Sequence, residues 1–305
     1  MAAIRPQFKD ELDPSLRAIF FDRYDAEPQM MPEIFNVLTS DRDQETDSGT
    51  TGFGKMVQTD EMGALDYEDP VKMFKTSYTH LKYTKGFKVS QELVEDDQHN
   101  VISRMPKALA KSVVYTTEFH AANVFNNAFS TSYTSYGDGK PLCSTGHTRA
   151  DGGTAQSNAS ATGIAFTEPN LETGRLALEK ALNDKGQIVN FMADTLIVPV
   201  DLRKSAQILT QSTLRPGSGN NDVNIYEGVF KVMAWRYLTS TTAWFLADKS
   251  NHMLNWFWRI RPEFKSDYAF DSDAALYKVR VRFALGWSDW RGVWGSKGAG
   301  AAYTD

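Results

Sequence analysis

A single cysteine, Cys143, stands among the 305 residues of this chain, and that scarcity removes two classes of protein at once. No intrachain disulfide can form, and the usual zinc sets, which draw on paired cysteines, lack ligands. Histidine is sparse too, with His80, His99, His120 and His252 scattered and only His147 close to the cysteine. Basic charge is in deficit, 33 Lys and Arg against 38 Asp and Glu, for a net charge of −5. Phosphate affinity comes mainly from clustered Lys and Arg, so no dedicated DNA-binding surface is expected. Apolar runs of about 18 residues, the length that spans a bilayer, are missing. The first ten residues carry Arg5, Lys9 and Asp10 and no apolar core of a signal peptide. A soluble chain in a reducing compartment, with no membrane partner, is the expectation.

What remains is ordinary for a folded protein, with 41% hydrophobic and 23% charged residues. All the tryptophans (Trp235, Trp244, Trp256, Trp258, Trp287, Trp290, Trp294) lie in the last quarter, which predicts dense packing there. The longest consistent pattern places Val101, Met105, Leu109, Val113, Phe119, Ala122, Phe125 and Phe129 at helical spacing. It predicts one helix over 101–129, a rod of roughly 43 Å at 1.5 Å per residue, with Pro106 kinking or restarting it.

Around that rod the pattern is mixed α+β. Asp13-Pro14 predicts a short helix over 14–24, and strands are expected at 34–38 and along the extended stretch 73–89. Between them, 41–70 holds Asp41, Asp43, Glu45, Asp47, Asp60, Glu61, Asp66, Glu68 and Asp69 against Arg42 and Lys55, with four glycines. Too long for a hairpin turn, it reads as a projecting two-stranded arm, with a disordered insertion as the alternative. Ser90 caps the acidic run 91–97. The polar stretch 130–163 reads as a long surface loop or a crossing between domains. Then come a helix at 171–182, a buried strand at 191–199, a helix at 201–211 capped by Asp201, and strands at 223–235 and 242–247. Strands at 255–261 and 275–287 close the chain, Lys278, Arg280 and Arg282 alternating with Tyr277, Val279, Val281 and Phe283 as in a half-buried antiparallel strand.

No catalytic, cofactor or metal set assembles from these residues. Cys143 and His147 are four apart, a spacing that gives contact only on a helix, and Pro141 and Gly146 argue for a loop. Gly137-Asp138-Gly139-Lys140 is followed by Pro141 where a phosphate loop needs Ser or Thr, so it reads as a turn. Arg259 and Arg261 beside Trp256, Phe257 and Trp258 could stack bases, but their alternation fits a sheet with one wet face better.

This order of elements resembles the major capsid proteins of tailed bacteriophages with the Hong Kong 97 capsid fold, particularly the Mu-like major head subunit group. The resemblance is carried by the amino-terminal arm, the acidic hairpin and the run Val89-Ser90-Gln91-Glu92-Leu93-Val94-Glu95-Asp96-Asp97 before the long helix. The loop Gly137 to His147, the strand Tyr277 to Gly286 and the close Trp287-Ser288-Asp289-Trp290-Arg291-Gly292-Val293-Trp294-Gly295-Ser296 complete it. It implies an N-arm over 1–35, an E-loop and its roots over 36–88, a peripheral domain over 89–165 with the spine helix, an axial domain over 166–250, and a peripheral return over 251–305.

It further implies a structural protein, not an enzyme, that assembles with itself into hexamers and pentamers and closes an icosahedral head around double-stranded DNA held without sequence-specific contacts. Its place would be the virion, after assembly in the host cytoplasm. A separate scaffolding protein, a portal at one vertex and a decoration protein are the other implied partners. The acidic loop residues Asp41, Asp43, Glu45, Asp47, Asp60 and Glu61, with Arg42 and Lys55, are expected to meet Arg259, Arg261, Lys265, Arg280 and Arg282 of a neighbouring subunit. The rival readings are an α+β enzyme using Cys143 and His147 in the 130–163 loop, and another phage structural protein such as a tail-tube or decoration protein.

Overall fold

The computed structural model describes residues 5–90, 92–93, 101–217, 222–269 and 274–299. The chain forms two compact units, one from residues 1–44, 79–121 and 256–285, the other from 45–78, 122–255 and 286–305.

The first unit is a sheet with helices on one face. Its strands are β1 (Asn36–Thr39), β4 (Leu81–Ser90), β8 (Leu254–Ala269) and β9 (Ala274–Trp287), in the order β1-β8-β9-β4. β4 and β9 run antiparallel with Leu81 opposite Phe283 and Phe87 opposite Tyr277. Because cross-strand partners share a face, Tyr83, Phe87, Tyr277, Val281 and Phe283 all point one way, and Phe87 stacks on Tyr277 at 5.0 Å. Helix α1 (Arg5–Ala26) packs there through Phe20, 5.4 Å from Phe264, which reaches Tyr277 at 5.9 Å. Helix α3 (Val101–Asn126) adds His120, 4.7 Å from Tyr83. The short helix α2 (Met31–Ile34) is fixed by buried Glu118 of α3, whose carboxylate accepts the N–H groups of Met30 and Met31, both at 2.8 Å. Those are two of the donors a helix start leaves unpaired.

The second unit centres on β5 (Thr195–Pro199), β6 (Lys231–Trp235), β7 (Trp244–Ala247) and β10 (Val293–Ser296), in the order β10-β7-β5-β6. β5 and β6 are parallel, and the other pairs antiparallel. Helices α4 (Glu168–Glu179) and α5 (Arg203–Gln211) belong here, and Leu171, Leu178, Leu196, Trp244, Leu246 and Trp294 share one core. Each such side chain contributes about 1.5–3 kcal/mol on burial. Gly174 of α4 lies so close to Trp294 that a Cβ would sit 2.8 Å from the indole. β2 (Gln44–Asp47) and β3 (Thr76–Thr79) form the remaining two-stranded sheet.

Several expectations are corrected. The first helix runs 22 residues with Pro14 inside it rather than at its start. One proline removes a single hydrogen bond, and the burial of Leu16 and Phe20 outweighs that loss. Pro106 likewise lies within a continuous α3, which ends at Asn126 rather than at residue 129. Asp201 does not cap α5: Val200–Leu202 make a 3-10 turn that moves the start to Arg203. Val223 makes only an isolated bridge to Leu214 and residues 225–229 form turns, so the strand begins only at Lys231. The stretch 130–163 has little regular structure, yet it is no surface loop, since Leu142, Cys143, Ser144, His147 and Asn158 are buried in it. The acidic run 91–97 lies mostly outside the described residues, although Ser90 Oγ accepts the Leu93 N–H at 3.4 Å, as a cap would.

Candidate assembly surfaces

The face of the first unit's sheet that turns away from α1 and α3 is basic. In β9 it presents Lys278, Arg280 and Arg282, and opposite them β4 places Lys82 directly across from Arg282. Lys88 follows on the same side of β4 by the two-residue period. Arg280 reaches Glu263 of β8 at 2.5 Å, which puts Arg259, Arg261, Lys265 and Asp267 on this face as well. Glu263 also holds Lys265 at 3.0 Å. These partners, Arg280 first, keep its carboxyl below the usual carboxylate range. Eight cations thus meet two carboxylates on one face of a chain whose net charge is −5. Arg259 lies 3.6 Å from the exposed carboxylate of Asp41. Arg261 and Arg282, with Lys82, Lys88 and Lys278, hold no ion pair among the described residues. Lys82, Lys88 and Lys278 are not among the contact residues expected from the sequence, and only the strand register reveals that they share this face.

The arm is the second surface, in the other unit. Glu45 and Asp47 lie in β2, paired with β3, and the bridge Thr50↔Lys72 extends that ladder by one step. From residue 55 to 72 every side chain is exposed and no strand forms. Lys55, Asp60 and Glu61 are in this stretch and hold no ion pair among the described residues. So are Met56, Met62 and Tyr67, exposed to 94%, 101% and 87%. Glu68 is tied back, to Lys185 Nζ at 2.5 Å and to the Gly54 N–H, and Val71 at the end of the stretch exchanges hydrogen bonds with Thr51. Arg42 and Asp43 lie before β2, where Ser40 Oγ accepts the Arg42 N–H at 3.3 Å.

Cys143 and His147 do not form a reactive pair. Cys143 is fully buried, burial pushes its thiol up, and its N–H donates to Ala128 O. A thiol held protonated is a poor nucleophile. His147, also fully buried, stacks on Trp290 at 4.1 Å with the rings 4° from parallel. Its Nδ1 lies 2.7 Å from Asp138 and its Nε2 3.1 Å from Asn158 Oδ1. Asn158 ties the region together, its amide donating to the carbonyls of Leu142, Trp290 and Val293. This network went unseen in the sequence because its members lie up to 155 residues apart, from Asp138 to Val293. Among the described residues no group of three or more His, Cys, Asp or Glu could hold a metal ion, and no helix is long and apolar enough to cross a membrane.

No curated protein matches the chain. Solved structures do. The capsid of the native GTA particle superposes with a TM-score of 0.56 at 12% identity, covering 86% of this chain and 87% of that one. The bacteriophage JBD30 capsid gives 0.56 at 13% identity over 70% of this chain and 92% of that one, and the JBD30 procapsid 0.50 at 17% over 95% and 75%. At such identities the likeness is one of fold, and it bears out the mixed α+β capsid architecture. The family model described as phage capsid protein matches residues 74–296, from β3 through both sheets to the last strand, and so the chain belongs to the phage capsid protein family.

Proposed function

We propose that this chain is the major head subunit, a structural protein that assembles into hexamers and pentamers and closes them into an icosahedral shell around double-stranded DNA. One observation carries the reading. The stretch 55–72 is wholly exposed, strandless and studded with Met56, Val57, Met62, Leu65 and Tyr67, which have no core of their own to enter. Contiguous exposed apolar side chains mark an interaction surface. Extended segments of this kind gain stability by lying against another chain.

In this reading 1–35 is the N-arm, 36–88 the E-loop with its roots, 89–165 and 251–305 peripheral, and 166–250 axial. The loop's Asp41, Asp43, Glu45, Asp47, Asp60 and Glu61, with Arg42 and Lys55, meet Arg259, Arg261, Lys265, Arg280 and Arg282 of a neighbouring copy. Weak contacts repeated around a ring reinforce one another, so modest pairwise energies close a stable shell. A separate scaffold, a portal and a decoration protein are the further partners, and assembly takes place in the host cytoplasm. An acidic chain does not grip DNA; the shell confines it. No step of catalysis is assigned, and the sealed Cys143 weighs against the enzyme reading.

Electron microscopy of the purified chain, alone and with a candidate scaffold, tests this. Rings of five or six subunits, or closed shells, are expected. A monodisperse monomer under all conditions would sink the reading.

A further inference from the structure

The two sides of the arm are drawn together in steps. Met73 donates its N–H to Gly49 O at 2.9 Å, Thr51 donates to Val71 O at 2.7 Å, and the Val71 N–H donates to Thr51 Oγ1 at 2.9 Å. One step further out the pairing passes from backbone to side chain, where the Gly54 N–H donates to Glu68 Oε2 at 2.5 Å. Beyond it, 55–67 holds no strand. The other oxygen of Glu68 reaches outside the arm: Oε1 accepts Lys185 Nζ at 2.5 Å. Lys185 first, and then the Gly54 N–H, hold the Glu68 carboxyl below the usual carboxylate range.

Lys185 stands on a firm support. It sits in the tight turn 182–188, closed by the Leu182↔Ile188 bridge and by Asn183, whose side-chain oxygen accepts the N–H groups of Lys185 and Gln187, both at 2.9 Å. Gly186 follows with φ 74°, a left-handed position that favours glycine. On the other side of Lys185, Asp184 is buried against Arg291 at 2.5 Å, and Arg149 donates to the Asp184 carbonyl. Two arginines thus pin the turn. An ion pair between two freely moving surface side chains is worth little. Here the Lys185 side chain is only 15% exposed, against 36% for Glu68, so less freedom remains to be lost when the two meet.

We propose that Lys185 is a positioning residue for the arm: gripping Glu68 where the arm's pairing ends, it sets the direction in which 55–67 leaves the subunit before any neighbour is met. The inference rests on the shell-forming reading and adds to it a brace that the free subunit carries within itself. An arm aimed in advance loses less freedom on meeting its target, which strengthens association. The gain per copy is small, but every copy in a ring repeats it.

Paired spin labels read the direction. Cys143 is fully buried and stays unlabelled, so labels go to Met62→Cys in the arm and to Thr173→Cys on α4, both exposed positions. In the unassembled chain a narrow distribution of label distances is expected, which Lys185→Met broadens and Lys185→Arg keeps. In unlabelled chains Lys185→Met should slow assembly, followed by light scattering, by at least about threefold with the melting temperature unchanged, and Lys185→Arg should recover the rate. Lys185→Cys and Glu68→Cys in one chain, joined by a bismaleimide, should recover it too. A distance distribution that Lys185→Met leaves unchanged overturns the proposal, as does one that broadens while assembly is unaffected. So does an assembly rate that falls further when the two cysteines are joined, because the contact would then be one that has to open. If the unsubstituted chain fails to assemble, the shell reading falls, while the label distances still decide whether Lys185 aims the arm.

Discussion

At the scale of single residues, Asn158 is the position on which the irregular stretch 130–163 depends. Its NH2 group serves three carbonyls, and its oxygen accepts the Ser144 N–H at 2.9 Å while facing His147. Two N–H bonds shared among three carbonyls, with Trp290 the most distant at 3.3 Å, fix which way the amide points, so polar groups of two distant segments are satisfied by one side chain. Asn158→Asp replaces that donor with a buried negative charge aimed at three carbonyl oxygens. We expect a loss of about 3–5 kcal/mol, seen as a lower melting temperature and, in an assembly assay, as soluble aggregate. An unchanged melting curve would show that the network is dispensable. Cys143 is the contrasting case. Cys143→Ser places a hydroxyl where the thiol is sealed and is expected to cost about 1–3 kcal/mol yet to leave assembly competent, as measured by shell yield at a temperature below the variant's melting point.

At the scale of elements, α4 is braced along its own length and tied to the turn that carries Tyr226. Arg175 bridges Glu172 at 2.6 Å and Glu179 at 2.9 Å, and the Tyr226 hydroxyl donates to Glu172 at 2.9 Å. Arg175's hydrogen bond is the largest influence holding the Glu172 carboxyl below its ordinary range. Burial, then the bond to Glu172, pushes Tyr226 up to about 12. A depressed carboxyl stabilises the fold fully above its unfolded value, near 4.3, and that contribution is lost as pH falls through the folded value. A raised phenol contributes below its unfolded value, near 10, and the contribution is lost as pH rises toward 12. Stability should therefore sag at both ends. Glu172→Gln should flatten the acid limb of a melting-temperature profile and Tyr226→Phe the alkaline one, each by under about 1 kcal/mol because the groups are partly exposed. Limbs unaltered by either change would disprove the assignment.

The same scale shows what the sequence made legible. α3 and β9 were readable because a period of 3.6 places Leu109, Val113, Ala122 and Phe125, and a period of 2 places Tyr277, Val279, Val281 and Phe283, all of them buried, although Phe119 of the helical pattern is exposed. The arm was readable as composition. The pairing of β10 with β7, in which Trp294 faces Leu246, leaves no local trace, because a strand's partner is chosen by tertiary fit rather than by its own residues. The burial of 130–163 was hidden for the same reason. Ser, Thr, Gly and Asn favour loops, but nothing in their spacing says that Asn158 finds carbonyls more than 130 residues away.

At the scale of the whole molecule, the deciding property is how charge is distributed rather than its sum. A chain of net charge −5 sets aside Lys82, Lys88, Arg259, Arg261, Lys265, Lys278, Arg280 and Arg282 on one sheet face, and concentrates nine carboxylates against two cations between Asp41 and Asp69. Such segregation costs solubility nothing while copies stay apart, and it steers them into a head-to-tail contact, which closes a ring when the rotation between copies allows. Exposed charges are screened beyond about 8 Å at physiological salt, so the contact should be salt-sensitive where apolar burial is not. Assembly followed by light scattering should slow and reach a lower plateau between about 50 mM and 500 mM salt. Arg261→Glu with Arg282→Glu should lose most of the low-salt assembly and its salt dependence together. Neither residue holds an ion pair among the described residues, so the fold itself should be spared, and a circular dichroism melt checks that. Restoring the opposite sign with Asp60→Lys and Glu61→Lys in the same chain should recover assembly in part. Recovery would tie the arm to the basic face of another copy, whereas full assembly by the unrescued double variant would mean that the shell is held by apolar contacts alone.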